Sequence, residues 1–201
     1  MRLRFSILLF LAVGAPAAGA HAQHQYEIDL SAIDPSLVLA NAEDVMMRAP
    51  NRDIDRLYQA VHAASQSDSE AQTLCTLFDP DADRSLFGLQ QAANALGTAS
   101  RERFVEAVAA IAVNGAQSER QPYDPAAAAH VLKQAGVSAM LLYDGFMVGM
   151  TATGNDPGSR TARCRSFRQI VEVLQDFSLA DRAAATRYLL VEGLTRYGSE
   201  L

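Results

Sequence analysis

The chain contains no tryptophan and only two cysteines in 201 residues. It also lacks the motifs that announce the commonest enzyme chemistries. There is no H-E-x-x-H, no G-x-S-x-G and no glycine-rich phosphate loop, so motif-borne zinc proteolysis, serine hydrolysis and nucleotide binding are not expected. Histidine and cysteine never cluster at metal-ligand spacing, and neither a metal nor a cofactor is expected from them. Acidic residues outnumber basic ones, 23 to 17, for a net charge of −6. That balance argues against general binding to nucleic acid or anionic membranes, which need a basic surface.

The first residues have the layout of an export signal. Arg2 and Arg4 give a positive start, Phe5 to Val13 is apolar except for Ser6, and Ala20-His21-Ala22 matches an A-x-A cleavage site. A signal peptide is expected over 1–22, too short to span a membrane, and no later apolar run reaches the ~18 residues of a transmembrane helix. No cysteine follows the apolar stretch, so no lipid anchor is expected. Removing these residues leaves 179 of the 201 and takes away two arginines, making the net charge −8. The expected destination is a bacterial periplasm, with the extracellular space as the alternative. There, Cys75 and Cys164 should form one disulfide. It would close a loop of about 90 residues, worth up to ~4–5 kcal/mol on chain entropy. The rival reading is a reactive thiol at Cys164, whose neighbours Arg163 and Arg165 favour the thiolate.

What is abundant is alanine, 30 residues after position 22, and alanine is the strongest helix former. The punctuation agrees. Asp34-Pro35 and Asp124-Pro125 each pair an N-cap with a proline at the first helical position. Ala49-Pro50-Asn51 breaks one helix and opens the next. Ser100 is expected to cap a helix with Phe104, Val105, Val108, Ile111 and Ala112 inward, ended by Asn114-Gly115. Gly136 should stop the helix that follows, and Val137 to Thr153 should form an apolar one. After a loop at 154–158, a helix from about Thr161 carries Phe167, Ile170, Val171 and Leu174. Ser178 and Asp181 resemble a capping box opening the last helix. The organisation expected is a signal peptide (1–22), an extended arm (23–33, with alternation over Tyr26–Leu30) and one all-α domain (34–201). That domain would hold seven to nine short helices with one disulfide.

Three features invite chemistry. Asp79, Asp81 and Asp83 are spaced like the first ligands of an EF-hand calcium loop, but Arg84 replaces the turn glycine and Gln90 the bidentate glutamate. The plainer reading is an acidic turn before a helix N-terminus. Arg160, Arg163, Arg165 and Arg168 form the one dense basic cluster, centred on Cys164. A Cys75–Cys164 bond would bring it near the three aspartates, either as an internal salt-bridged network or as a docking patch for a partner. Asp144, flanked by Met140, Leu141, Met147 and Val148 at helical spacing, should be a buried acid, either paired or facing a pocket. His62 and His130 read as isolated, and Glu43-Asp44 and Asp53-Asp55 as solvated faces.

These features favour a non-enzymatic, exported protein-binding module, of the inhibitor or immunity type, that neutralises a basic effector or cell-wall hydrolase. The alternative is a small-ligand binder or hydrolase whose scattered carboxylates and arginines meet in a helical cleft. Asp144, Tyr143 and the arginine cluster would then be its first suspects. A third option adds the Tyr26–Leu30 arm as a strand to a partner.

Overall fold

Capping chemistry sets where several of the helices start. The computed structural model describes residues 35–83 and 86–199, and its helices are α1 (Pro35–Arg48), α2 (Asn51–Ser65), α3 (Asp68–Thr76), α4 (Leu86–Ala95), α5 (Thr98–Gln117), α6 (Pro125–Leu142), α7 (Phe146–Thr151), α8 (Pro157–Gln175) and α9 (Leu179–Ser199). No strand occurs among the described residues, so the all-α class stands. The expected signal peptide (1–22), the expected 23–33 arm, the expected Asp34 cap and Arg84-Ser85 lie outside the described residues.

Asp124 Oδ1 accepts from the Ala126 and Ala127 amides at 2.8 and 3.3 Å, with Pro125 at the first helical position. Asp156 and Pro157 repeat the device, so α8 starts four residues earlier than the expected Thr161. Ser178 Oγ accepts from the Asp181 amide at 3.2 Å and donates to Asp181 Oδ2 at 2.7 Å. Ser100 caps nothing itself. Glu70, reaching from α3, accepts from the Gly97 amide at 2.9 Å and from the Ser100 hydroxyl at 2.8 Å. A carboxylate from another helix thus satisfies the positive end of α5.

Glycine misled the reading of three helices. Gly115 lies inside α5, where an added Cβ would overlap the Val45 carbonyl of α1. Ala107, Ile111 and Gly115 make up the buried face of α5, while Val105 and Val108 point outward. Small residues let α1 and α2 approach most closely on that side, and the bulkier valines were left to solvent. Gly136 sits within α6 and has open space around it. The break falls later, at Tyr143-Asp144-Gly145, where Gly145 takes a left-handed φ of 81°. The expected Val137–Thr153 helix is therefore the end of α6, a turn, and the short α7. Gly149 of α7 lies against the Ala162 carbonyl and Ser166 of α8 with no room for a side chain.

Helix α2 lies at the centre and touches α3, α5, α8 and α9. Tyr58, Val131, Ala135, Phe146, Val171 and Leu174 form the largest buried cluster, joining α2, α6, α7 and α8. A second cluster of Met46, Ile54, Ile111 and Ala183 ties α1, α2, α5 and α9. Ala64, Leu74 and Leu96 make a third beside α3. Between these clusters sits Arg187, only 1% exposed. Its guanidinium donates to the Met46 and Ala49 carbonyls at 3.0 and 2.7 Å and to Asn51 Oδ1 at 2.9 Å. The carbonyls ending α1 thus solvate a buried cation with which no carboxylate is paired among the described residues. Burial lowers its pKa, opposed by the nearby Tyr123. No described helix is long and apolar enough to cross a membrane.

Candidate functional site

The disulfide forms between Cys75 on α3 and Cys164 on α8, with Cα atoms 5.2 Å apart and both residues buried. No free cysteine remains, which overturns the reading of Cys164 as a reactive thiol. The bond sets the acidic loop after α3 beside the first two turns of α8. Asp156 fixes the start of α8. Its carboxyl is held below the ordinary 3.8, first by the Ser159 hydroxyl (2.6 Å) and then by the Ser159 amide (3.0 Å). Starting the helix there puts Arg160 and Arg163, three apart, on one side facing the loop.

Asp79 is the hub. Although only 5% exposed, it accepts from Arg163 Nη2 at 2.6 Å and from Arg160 Nη1 at 2.9 Å. Arg160 Nη2 also reaches Asp81, at 2.9 and 3.2 Å to its two oxygens, and Arg160 Nε donates to the Asn155 carbonyl at 2.9 Å. Arg163 Nη1 donates to the Gly154 carbonyl at 2.6 Å, so the same cation ties the α7–α8 connection to the loop. Nε of Arg163 is buried without a hydrogen-bond partner. Farther along α8, Arg168 pairs with the exposed Asp68 at 2.7 Å. Arg165 is exposed and has no ion pair among the described residues. Asp83 is exposed and lies against Gly88, where any Cβ would overlap its carbonyl oxygen.

The arginine cluster is therefore mostly an internal brace. Two of the three candidate calcium ligands turn toward Arg160, and no group of three or more potential metal ligands converges among the described residues. Beside the brace, α3, the loop and α4 wall a polar cleft of about 490 Å³, with Gln72, Thr76, Asp81, Asp83, Gln91 and Arg160 in its lining.

Asp144 is not buried. It lies exposed in the turn between α6 and α7, because Gly145 ends the helix before the apolar neighbours can surround the carboxylate. It lines neither the polar cleft nor the groove beside α6, which holds His130, Lys133, Val137 and Phe177. Tyr143 is half-buried beside it.

A second ionic network escaped the sequence reading. Asp55 is 7% exposed and accepts from Arg182 Nε at 2.7 Å and Nη2 at 3.2 Å. The same guanidinium lies 5.6 Å above the Tyr58 ring. The bond to Asp55 raises the Arg182 pKa, against desolvation. Tyr58 donates to the Val171 carbonyl, and burial pushes its hydroxyl pKa well up. Asp53, 1% exposed, accepts from Asn114 at 2.8 Å with Arg56 at 3.5 Å. The only hint in the sequence was the i, i+2 spacing of Asp53 and Asp55 near a helix start, which reads equally well as a solvated face. Asp44 pairs with Arg48 at 2.7 Å. His62 is not isolated: it meets Glu172 at 3.1 Å, with Gln66 bonded to the same oxygen.

No family model, curated protein or solved structure matches this chain. The functional reading therefore rests on its own geometry.

Proposed function

We propose that this protein is an exported, non-enzymatic binding module whose 79–83 loop docks a basic segment of a protein partner, an effector or cell-wall hydrolase that it neutralises. The observation that carries this reading is the bracing of the loop. Asp79 is locked to Arg160 and Arg163, while Asp81 stays 54% exposed at the rim of the polar cleft. A loop fixed before binding loses little entropy on binding, so its carboxylates act as a preorganised acceptor for lysine or arginine. Net negative charge steers a basic partner toward it. The disulfide supports an oxidising compartment, which we take to be the periplasm. Of the arginines, only Arg165 is left for direct partner contact, and the others act by holding the aspartates.

The test is capture of partners from periplasmic extract by the immobilised protein and by its Asp81→Lys/Asp83→Lys variant. The reading expects a basic protein that is retained by the first, lost by the second and released by salt. A partner bound equally by both, or none at all, refutes it. Saturable binding of a small cationic molecule in the cleft, with no protein retained, would favour the small-ligand alternative.

A further inference from the structure

Helix α6 ends in an apolar face that the fold leaves uncovered. Val137, Met140, Leu141 and Leu142 of α6, with Met147, Val148 and Met150 of α7 across the turn, are between 46 and 79% exposed. A dense run of exposed apolar side chains like this invites a covering partner, and three methionines give it adaptable packing. Along the chain, the charges beside it are few and ordered. Between Asp124 and Asp156 the sequence holds only two charged residues, Lys133 and Asp144. Both are exposed, and they bracket the α6 part of the apolar stretch: Lys133 one turn before Val137, and Asp144 in the turn that separates Leu142 from the α7 part.

We infer that a second copy of this chain covers this face, with the two α6 helices antiparallel about a two-fold axis between Val137 and Met140. In a two-fold interface, if residue i meets residue j, then j meets i. On α6 itself, Val137, Met140, Leu141 and Leu142 have the cation at one end and the anion at the other, and such a helix is self-complementary only in the antiparallel sense. Lys133 of each copy then faces Asp144 of the other, and Val137 faces Met140. Leu141, the most exposed of the set at 79%, would enter the groove of about 530 Å³ beside the other copy's α6, lined by Val137, Ser138 and Phe177. A parallel pairing would set Lys133 against Lys133 and Asp144 against Asp144. An anionic or cationic partner would leave one of the two charges opposed. This pairing is independent of the 79–83 loop and stands or falls separately from it.

Sedimentation velocity of the purified protein, from about 1 to about 200 µM, reads the pairing directly. The unmodified chain should pass from monomer to dimer across that range. Leu141→Glu, at an exposed position, should stay monomeric with an unchanged circular-dichroism spectrum. Lys133→Asp should weaken association by at least about tenfold, and Lys133→Asp/Asp144→Lys should restore it. A chain that remains monomeric throughout, binding only vesicles or a foreign helix, overturns the inference. So does a dimer indifferent to Leu141→Glu, which would rest on another face such as Val105 and Val108 of α5. A double swap that fails to restore pairing rejects the antiparallel arrangement.

Discussion

Arg163 donates to Asp79 at 2.6 Å across 84 residues of sequence. The pair sits next to the disulfide and shares its purpose, which is to hold the loop after α3 against the start of α8. Its energetic weight follows from burial, since Asp79 is 6% and Arg163 14% exposed at the side chain. Removing one partner of a buried pair leaves the other desolvated and unmatched.

Asp79→Ala should therefore lower stability by about 2–3 kcal/mol, because it strips both Arg160 and Arg163 of their common acceptor. Asp68→Ala, which breaks an equally short pair whose carboxylate is 94% exposed, should cost less than about 0.5 kcal/mol. Urea melts of the two variants give the comparison. Equal losses would mean that bond length, not burial, sets the strength of these pairs.

Replacing both cysteines by serine should destabilise the protein by about 2–5 kcal/mol. The bond spans 89 residues, long enough that opening it releases a large loop in the unfolded state. Denaturation with and without reductant should show the unmodified protein falling to the level of the variant. A variant as stable as its parent would assign the burden to the Asp79 bridge alone.

Two glycine-to-alanine changes should differ in sign. At Gly136, in open space within α6, alanine should add about 0.5–1 kcal/mol through helix propensity. Gly149→Ala drives a methyl into the Ala162 carbonyl and Ser166, and should cost more than about 2 kcal/mol by separating α7 from α8. Thermal melts suffice to separate them. A neutral Gly149→Ala would show that α7 can move off α8 without loss.

Acid and alkali should act through different groups. The folded Asp156 carboxyl lies below its ordinary 3.8, so its contribution is intact above that value and disappears as pH falls through the folded pKa. The Ser159 amide resonance should titrate below pH 3.8 in the folded protein, and a midpoint at or above it would remove the cap from the argument. Tyr58 is raised above its ordinary 10.0 by burial. The stability it gives is complete below that pH and is lost as pH rises toward the folded pKa. Phenolate absorbance should therefore show Tyr58 ionising only with unfolding, and Tyr58→Phe should delete that late step.

Much of this was legible in the sequence. The Asp124-Pro125 pair placed the start of α6, while the same device at Asp156-Pro157 reads as loop, and α8 starts four residues before the expected Thr161. The two cysteines in an exported-looking chain named their own partner. The apposition of Asp79 and Asp81 with Arg160 and Arg163 followed from that bond. Glycine was read too simply. At Gly115 it serves close helix approach rather than termination, a distinction that depends on what lies across the interface. Asp144 failed for a related reason, since moving the break to Gly145 carried it from a helix face to a turn. Arg182 and Arg187 were invisible because a buried arginine looks like any other on a helix. Its acceptors, Asp55 for one and the end of α1 for the other, lie more than a hundred residues away.

The bond from Cys75 to Cys164 also changes the connectivity of the molecule. The intervening chain, with α4, α5, α6 and α7, becomes a covalent ring, while α1, α2 and α9 belong to the two tails that leave it. A single peptide cleavage within the largely exposed 118–124 connection would open the ring without releasing a fragment. In a compartment rich in proteases, such a nicked molecule would still be one piece, and it would come apart only on meeting a reductant.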